Sequence, residues 1–224
     1  MIVSVHIPKT AGTSLREALE ENFGERLLLD YGDRPLAQGA AAEEQRARSA
    51  EEARTRSADI LRDYDAIHGH FLAAKYDVLG PAARFATFFR DPATRVLSHF
   101  GQWQRLPHAP NPIAARIGSG ELDVFGFAAL PEIRDLYRTF TSDFDLDRFT
   151  FIGITEEYDR SIELFNAIFG TGIATRESNI GPEQSNGAET DADVLKRLRE
   201  LQPVDAKLYD LALKRFDRLC EQFL

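Results

Sequence analysis

The nine residues His6–Ser14, "HIPKTAGTS", bring together a lysine, a glycine and three hydroxyl side chains. Lys9 offers a mobile positive charge, and Thr10, Thr13 and Ser14 offer hydroxyls that can bond the non-bridging oxygens of an anion. Around Ala11 and Gly12 a turn can aim successive backbone N–H groups at one point, and a helix starting there adds the positive end of its dipole. A serine in such a turn also serves as an ordinary helix cap, the simpler reading for Ser14 taken alone. Lysine, glycine and three hydroxyls within six residues point instead to an anion site. The order differs from the Walker A loop, G-x-x-x-x-G-K-[ST], because Lys9 precedes the only glycine, Gly12.

Two other stretches carry chemistry. In "IHGH", His68 and His70 project from the same face of an extended strand. They can be a satisfied core pair, part of a metal site or a proton-handling pair; no cysteine, third nearby histidine or carboxylate set completes a metal site. In "FFRDPATRVLSHF", Phe88–Phe100, Arg90 follows an apolar run, and Arg95 and Ser98 share a helix face at i, i+3. Arg95 reads equally as half of an intramolecular ion pair and as a ligand to an anion. His6, His99 and His108 read as ordinary structural histidines. Cys220, the single cysteine, excludes an intrachain disulfide and lies in an apolar stripe, as a core thiol would.

These groups need elements to hold them. Ile2, Val3, Val5 and Ile7 form a strand-like run, and Leu15, Ala18, Leu19 and Phe23 recur at helical spacing up to Gly24. Residues 38–59, rich in Ala, Glu and Arg, read as an exposed helix or a mobile segment. Strands are expected from Asp65, from Arg84 and over "RFTFIGI", each followed by polar or helical sequence. Val96, Phe100 and Trp103 mark a helix, "RLPHAPNP" a loop, and Phe127 to Phe140 another helix. A helix stopped by Gly170 and two final helices, the second begun near Pro203, complete a single domain over 1–224. No second core is apparent. Alternating strands and helices imply an α/β fold with a central parallel sheet flanked by helices, whose ligands bind beyond the carboxyl ends of the strands. With 36 acidic against 27 basic residues, the net charge of −9 argues against nucleic acid as a partner. No apolar run nears the roughly 20 residues that span a bilayer, and a strand starting at Ile2 leaves no room for a leader, so a cytoplasmic location is expected.

"PKTAGTS" resembles the 5′-phosphosulfate loop of sulfotransferases that use 3′-phosphoadenosine 5′-phosphosulfate (PAPS), the heparan sulfate 2-O-sulfotransferase type among them. "RDPATRVLS" resembles that family's 3′-phosphate site, and "HGHF" the position of its catalytic base. The resemblance implies a P-loop-like three-layer fold. It implies that the amides of Thr10, Ala11, Gly12, Thr13 and Ser14 hold the 5′-phosphate, and that Arg90 and Ser98 hold the 3′-phosphate. Lys9 would stabilise charge on the bridging oxygen, and His70 would be the base, with His68 accessory or alternative. In the same way Arg176 and Asn179 would lie over the adenosine, and residues 101–148 would form the acceptor side. The implied reaction moves a sulfuryl group from PAPS to an acceptor hydroxyl of a carbohydrate, lipid or small metabolite, leaves 3′-phosphoadenosine 5′-phosphate (PAP), and needs no metal. The acidic chain without an anchor differs from relatives that act on heparan. Two other readings stand beside it: a P-loop nucleotide kinase or ATPase, since "FATFFRD" resembles a Walker B strand, and a non-catalytic nucleotide-binding module on the same fold.

Overall fold

In the computed structural model, which describes residues 1–106, 111–141, 144–175 and 191–224, the apolar run Ile2–Val5 forms β1, the middle strand of a five-stranded sheet. All four of its residues are buried, as expected of a parallel strand covered on both faces. The chain continues through α1 (Gly12–Phe23), β2 (Leu27–Asp30), α2 (Ala40–Thr55), α3 (Ser57–Asp63) and β3 (Ala66–Gly69). After a 3-10 segment at Ala73–Ala82 come β4 (Arg84–Phe89), α4 (Pro92–Gln104), α5 (Pro112–Gly118), α6 (Val124–Ala128) and α7 (Leu136–Phe140). Next are β5 (Phe149–Ile154), α8 (Tyr158–Phe169), α9 (Ala192–Glu200) and α10 (Pro203–Phe223). No helix among the described residues is long and apolar enough to cross a membrane.

The strand order is β2-β3-β1-β4-β5, with every pairing parallel. β1 therefore has β3 on one side, with Val5 opposite Gly69, and β4 on the other, with Val5 opposite Thr87. Connections diverge to opposite sides of β1, and the crevice at such a divergence, beyond the strand carboxyl ends, is where open α/β sheets bind ligands. The main core packs both faces of the sheet, with Phe71, Phe89, Phe149, Phe151, Phe165 and Phe216 fully or almost fully buried.

The structure differs from the sequence-based expectation in three places. The helix expected from Phe127 to Phe140 is two short helices, α6 and α7. Pro131 has no N–H to continue the first, and Asp135 takes a left-handed φ of 58° before the second. A second apolar cluster exists: Ala93 and Val96 of α4 pack with Ile117, Leu122, Phe127, Ile133 and Leu198, so the segment after α4 has a small core of its own beside the sheet. β2 has no counterpart in the sequence reading. Residues 38–59 contain α2, which buries only Ala53; polar contacts hold it instead. Lys75 Nζ donates to Asp30 at 2.6 Å, Asp33 at 2.8 Å and Ser49 of α2 at 2.6 Å.

Candidate functional site

The loop between β1 and α1 carries two non-glycine residues in the left-handed region, Lys9 at φ 68° and Ala11 at φ 63°. Each costs roughly 1–3 kcal/mol, a strain that collects at binding sites. Such turns arch successive amides around a concavity. Thr10 is buried and donates its hydroxyl to the Ile7 carbonyl at 2.9 Å, so that hydroxyl closes the loop on itself. Thr13 is exposed and Ser14 is buried. The N-terminus of α1 has no side-chain cap and no acidic residue in its first turn. Asp or Asn side chains cap α4, α5, α6 and α9, whereas α2, α3, α7, α8 and α10 share with α1 the lack of a side-chain cap. First-turn amides have no acceptor within their own helix, and a helix N-terminus of this kind can bind an anion.

Gly12 is required by its neighbour rather than by its own backbone. A Cβ there would lie 1.9 Å from the His6 imidazole, which lies against the loop at this point. His6 follows β1, where its N–H bonds the Gly69 carbonyl at 2.8 Å and carries the β1–β3 pairing one step further. This brings three imidazoles together: His6 lies 4.2 Å from His70 and 5.1 Å from His68, ring centre to ring centre. The rings stack or tilt against one another, and no group of His, Cys, Asp or Glu among the described residues could hold a metal ion. Tyr31, just beyond β2, closes the cluster with its hydroxyl 3.1 Å from His6 Nδ1 and its ring 4.9 Å from His70. Burial pushes the Tyr31 phenol up to about 12.

The two histidines of "HGH" have different surroundings. His68 lies inside β3, fully buried, with Nδ1 2.9 Å from Ser4 Oγ; desolvation lowers its pKa to about 3. His70 lies one residue beyond β3 and is half-buried, with Nδ1 2.6 Å from the His6 carbonyl. A carbonyl only accepts, so Nδ1 carries the proton and Nε2 keeps its lone pair. Burial lowers the His70 pKa, and the bond to the His6 carbonyl opposes that shift. Both rings lie against His6 and Tyr31, so the two side chains share one side of the sheet, while β3 ends at Gly69, between them, and only His68 is inside the strand.

Arg90 stands just past the end of β4, half-buried, with Nε donating to Thr94 Oγ1 at 3.2 Å and no ion pair among the described residues. The neighbouring arginines are committed. Arg95 is wholly buried and meets Asp205 at 3.4 Å, which settles its two readings in favour of the ion pair. Asp91 caps α4 by accepting from the N–H groups of Ala93 and Thr94, and also pairs with Arg199 of α9. An aspartate so committed fits a helix cap rather than a Walker B metal ligand. Ser98 is half-buried two turns into α4. Arg176, Asn179 and His108 lie outside the described residues.

The structure thus sets the Lys9–Ser14 loop, His70 and Arg90 beyond the carboxyl ends of β1, β3 and β4, three adjacent strands. The sequence reading missed His6, Tyr31, Tyr137 and Glu156. Tyr137, from the segment that showed no motif, bonds Arg90. Glu156 accepts from the Asp91 N–H at 2.8 Å and from the Tyr209 hydroxyl at 3.1 Å. For His6 alone a signal existed, the glycine six residues on; the others act through contacts distant in sequence.

No protein-family model and no curated protein matches the sequence. Among solved structures, the sulfotransferase from Alicyclobacillus acidocaldarius superposes with a TM-score of 0.50 at 12% identity, over 98% of this chain and 95% of that one. Mouse sulfotransferase SULT7A1, solved in complex with PAP, gives a TM-score of 0.39 at 15% identity over 88% of this chain and 64% of that one. The fold of this chain is therefore the sulfotransferase P-loop fold, a five-stranded all-parallel sheet flanked by helices.

Proposed function

We propose that this protein is an enzyme that transfers a sulfuryl group from PAPS to a hydroxyl of a small-molecule or glycan acceptor. The observation that carries this reading is the convergence of the Lys9–Ser14 loop, His70 and Arg90 at the carboxyl ends of three neighbouring strands. The residues present fit the nucleotide: an uncapped helix start without acidic residues suits the 5′-phosphosulfate, and an arginine without a carboxylate partner among the described residues suits a further phosphate.

Bound PAPS supplies the activated sulfuryl group, whose bond to the phosphate oxygen breaks as one to the acceptor oxygen forms. The chain contributes position and charge. The amides of residues 10–14 and the α1 dipole hold the 5′-side anion. Lys9 stabilises the negative charge that grows on the departing phosphate oxygen, an interaction stronger in the transition state than before it. Arg90, with Ser98, holds the 3′-phosphate. His70 takes the acceptor proton on Nε2, the nitrogen that the His6 carbonyl leaves basic. His68, buried against Ser4, supports the strand rather than meeting an acceptor.

The test is a thermal melt with three nucleotides. PAP should stabilise the protein by about 2.7 kcal/mol at a hundredfold excess over its Kd, with AMP and ATP doing much less and a chelator changing nothing. Arg90→Ala should remove the preference for PAP while leaving AMP binding nearly unchanged. Equal shifts for all three nucleotides in the unaltered protein would remove the 3′-phosphate site, and magnesium-dependent ATP binding would favour a kinase. Turnover of labelled PAPS across hydroxyl acceptors then identifies the second substrate.

A further inference from the structure

The segment after α4 contributes one fully buried phenol whose hydroxyl meets both backbone groups of a single residue. Tyr137 accepts the Arg90 N–H at 3.1 Å and donates to the Arg90 carbonyl. Those two groups lie where the sheet stops: β4 pairs with β5 only as far as Phe89 opposite Ile154, and with β1 only as far as Thr87 opposite Val5. One oxygen bonding both peptide units that flank the Arg90 Cα fixes the torsions on either side of it, and hence the direction of its side chain. The Nε bond to Thr94 then orients the guanidinium.

We propose that Tyr137 is a positioning residue for recognition of the nucleotide's 3′-phosphate, acting through the backbone of Arg90; the inference rests on the function proposed above. Tyr137 is itself held from three directions. Its N–H donates to Asp205 of α10 at 3.0 Å, its ring meets the edge of Phe89 at 4.9 Å, and the Arg95 guanidinium lies 5.4 Å from its ring centre. Arg95 faces the same Asp205 and donates to the Ile133 carbonyl at 3.1 Å. α4, α7 and α10 therefore lock beneath Arg90. Burial pushes the phenol pKa upward, so the hydroxyl stays protonated and able to donate. A pre-set arginine binds its phosphate without first being ordered, which is where pre-organisation gains affinity.

Tyr137→Phe keeps the ring and removes the oxygen. The variant should bind PAP about 3- to 10-fold more weakly, the worth of a single hydrogen bond, with AMP affinity within twofold. With PAPS the loss should appear in KM while kcat holds, since the 3′-phosphate is remote from the reacting bond. In the Arg90→Ala background the same substitution should change PAP affinity no further. If the unaltered protein prefers PAP over AMP, Arg90→Ala abolishes that preference and Tyr137→Phe leaves it intact, the positioning role is overturned and the proposed function stands. If the unaltered protein shows no such preference, the 3′-phosphate reading falls and this inference falls with it. Should Tyr137→Phe not fold, amide hydrogen exchange on the unaltered protein decides. The Arg90 amide should already be protected before PAP is added, and rapid exchange there in the free protein overturns the proposal.

Discussion

An imidazole whose Nδ1 proton is spent on a backbone carbonyl has one basic site left, and for His70 that is Nε2. A base must be neutral to act, so the rate falls as pH drops through its pKa. Burial lowers that value, so the acidic limb of kcat should have its midpoint below the ordinary 6.5 of a histidine. His70→Ala should lower kcat by about 10²- to 10⁴-fold, remove that limb and keep the PAP-induced thermal shift. An acidic limb that survives in the variant assigns the base elsewhere. At this scale much of the candidate site was legible in the sequence, because Lys9–Ser14 and Arg90–Ser98 are short runs whose chemistry is local. What was not legible depends on who touches whom. His68 and His70 look equivalent as letters, and only the end of β3 at Gly69 separates a buried histidine from a presented one. Tyr31 and Tyr137 belong to no local pattern and reach the site through contacts with residues 25 and 47 positions away.

Elements with little apolar surface need another means of attachment, and α2 shows one. Its link to the sheet runs through Lys75, whose side chain is 6% exposed and bonds Asp30, Asp33 and Ser49. Tyr76 donates to Asp30 as well, at 2.8 Å. Lys75→Met would leave two shielded carboxylates facing each other, and breaking such a pair from one side costs about 3–5 kcal/mol. The expected result is a large drop in the urea midpoint with the slope unchanged, and a slope that falls with it would instead signal α2 separating on its own. Because Asp30 precedes Tyr31, the same variant should loosen the wall beside His6 and His70. The composition of 38–59 allowed either a helix or a mobile segment. The anchor that favours the helix lies in Lys75, outside the segment. β2 was illegible for a related reason, since "LLLD" is too short to show a period and becomes a strand only by pairing with β3. Pro131 was the visible sign that the helix over 127–140 would break.

For the whole molecule, the sum of its buried histidines governs its tolerance of acid. Burial lowers the pKa values of His6, His68, His70 and His99, with His68 and His99 near 3. Unfolding below pH 6.5 takes up protons at these sites, so their contribution is complete above 6.5 and is lost as pH falls from there toward 3. Asp205 works the other way: burial outweighs the Arg95 charge and raises it to about 6, so its ionisation costs stability as pH rises from 3.8 to 6. Three or more histidines against one aspartate leave the net slope positive, at about 1.4 kcal/mol per pH unit for each net proton. The melting temperature should therefore fall between pH 6.5 and 5, and a flat profile would mean that these histidines are already charged in the folded state. The central position of β1 has a consequence for the order of assembly. Val5 pairs with Gly69 and Thr87, so the strand must wait through 64 to 82 further residues for its neighbours. At a synthesis rate of about 5–20 residues per second, that interval is roughly 3–16 s. During it the "IVSV" strand is made but unpaired, with both edges open to any other chain, and the Lys9–Ser14 loop that follows it has no sheet to hold its shape. A newly made chain thus completes its sheet centre and the candidate site together, once β3 and β4 have both followed β1, and a phosphate-bearing ligand that stabilised that arrangement would act on the yield of folded protein before it acted on any reaction.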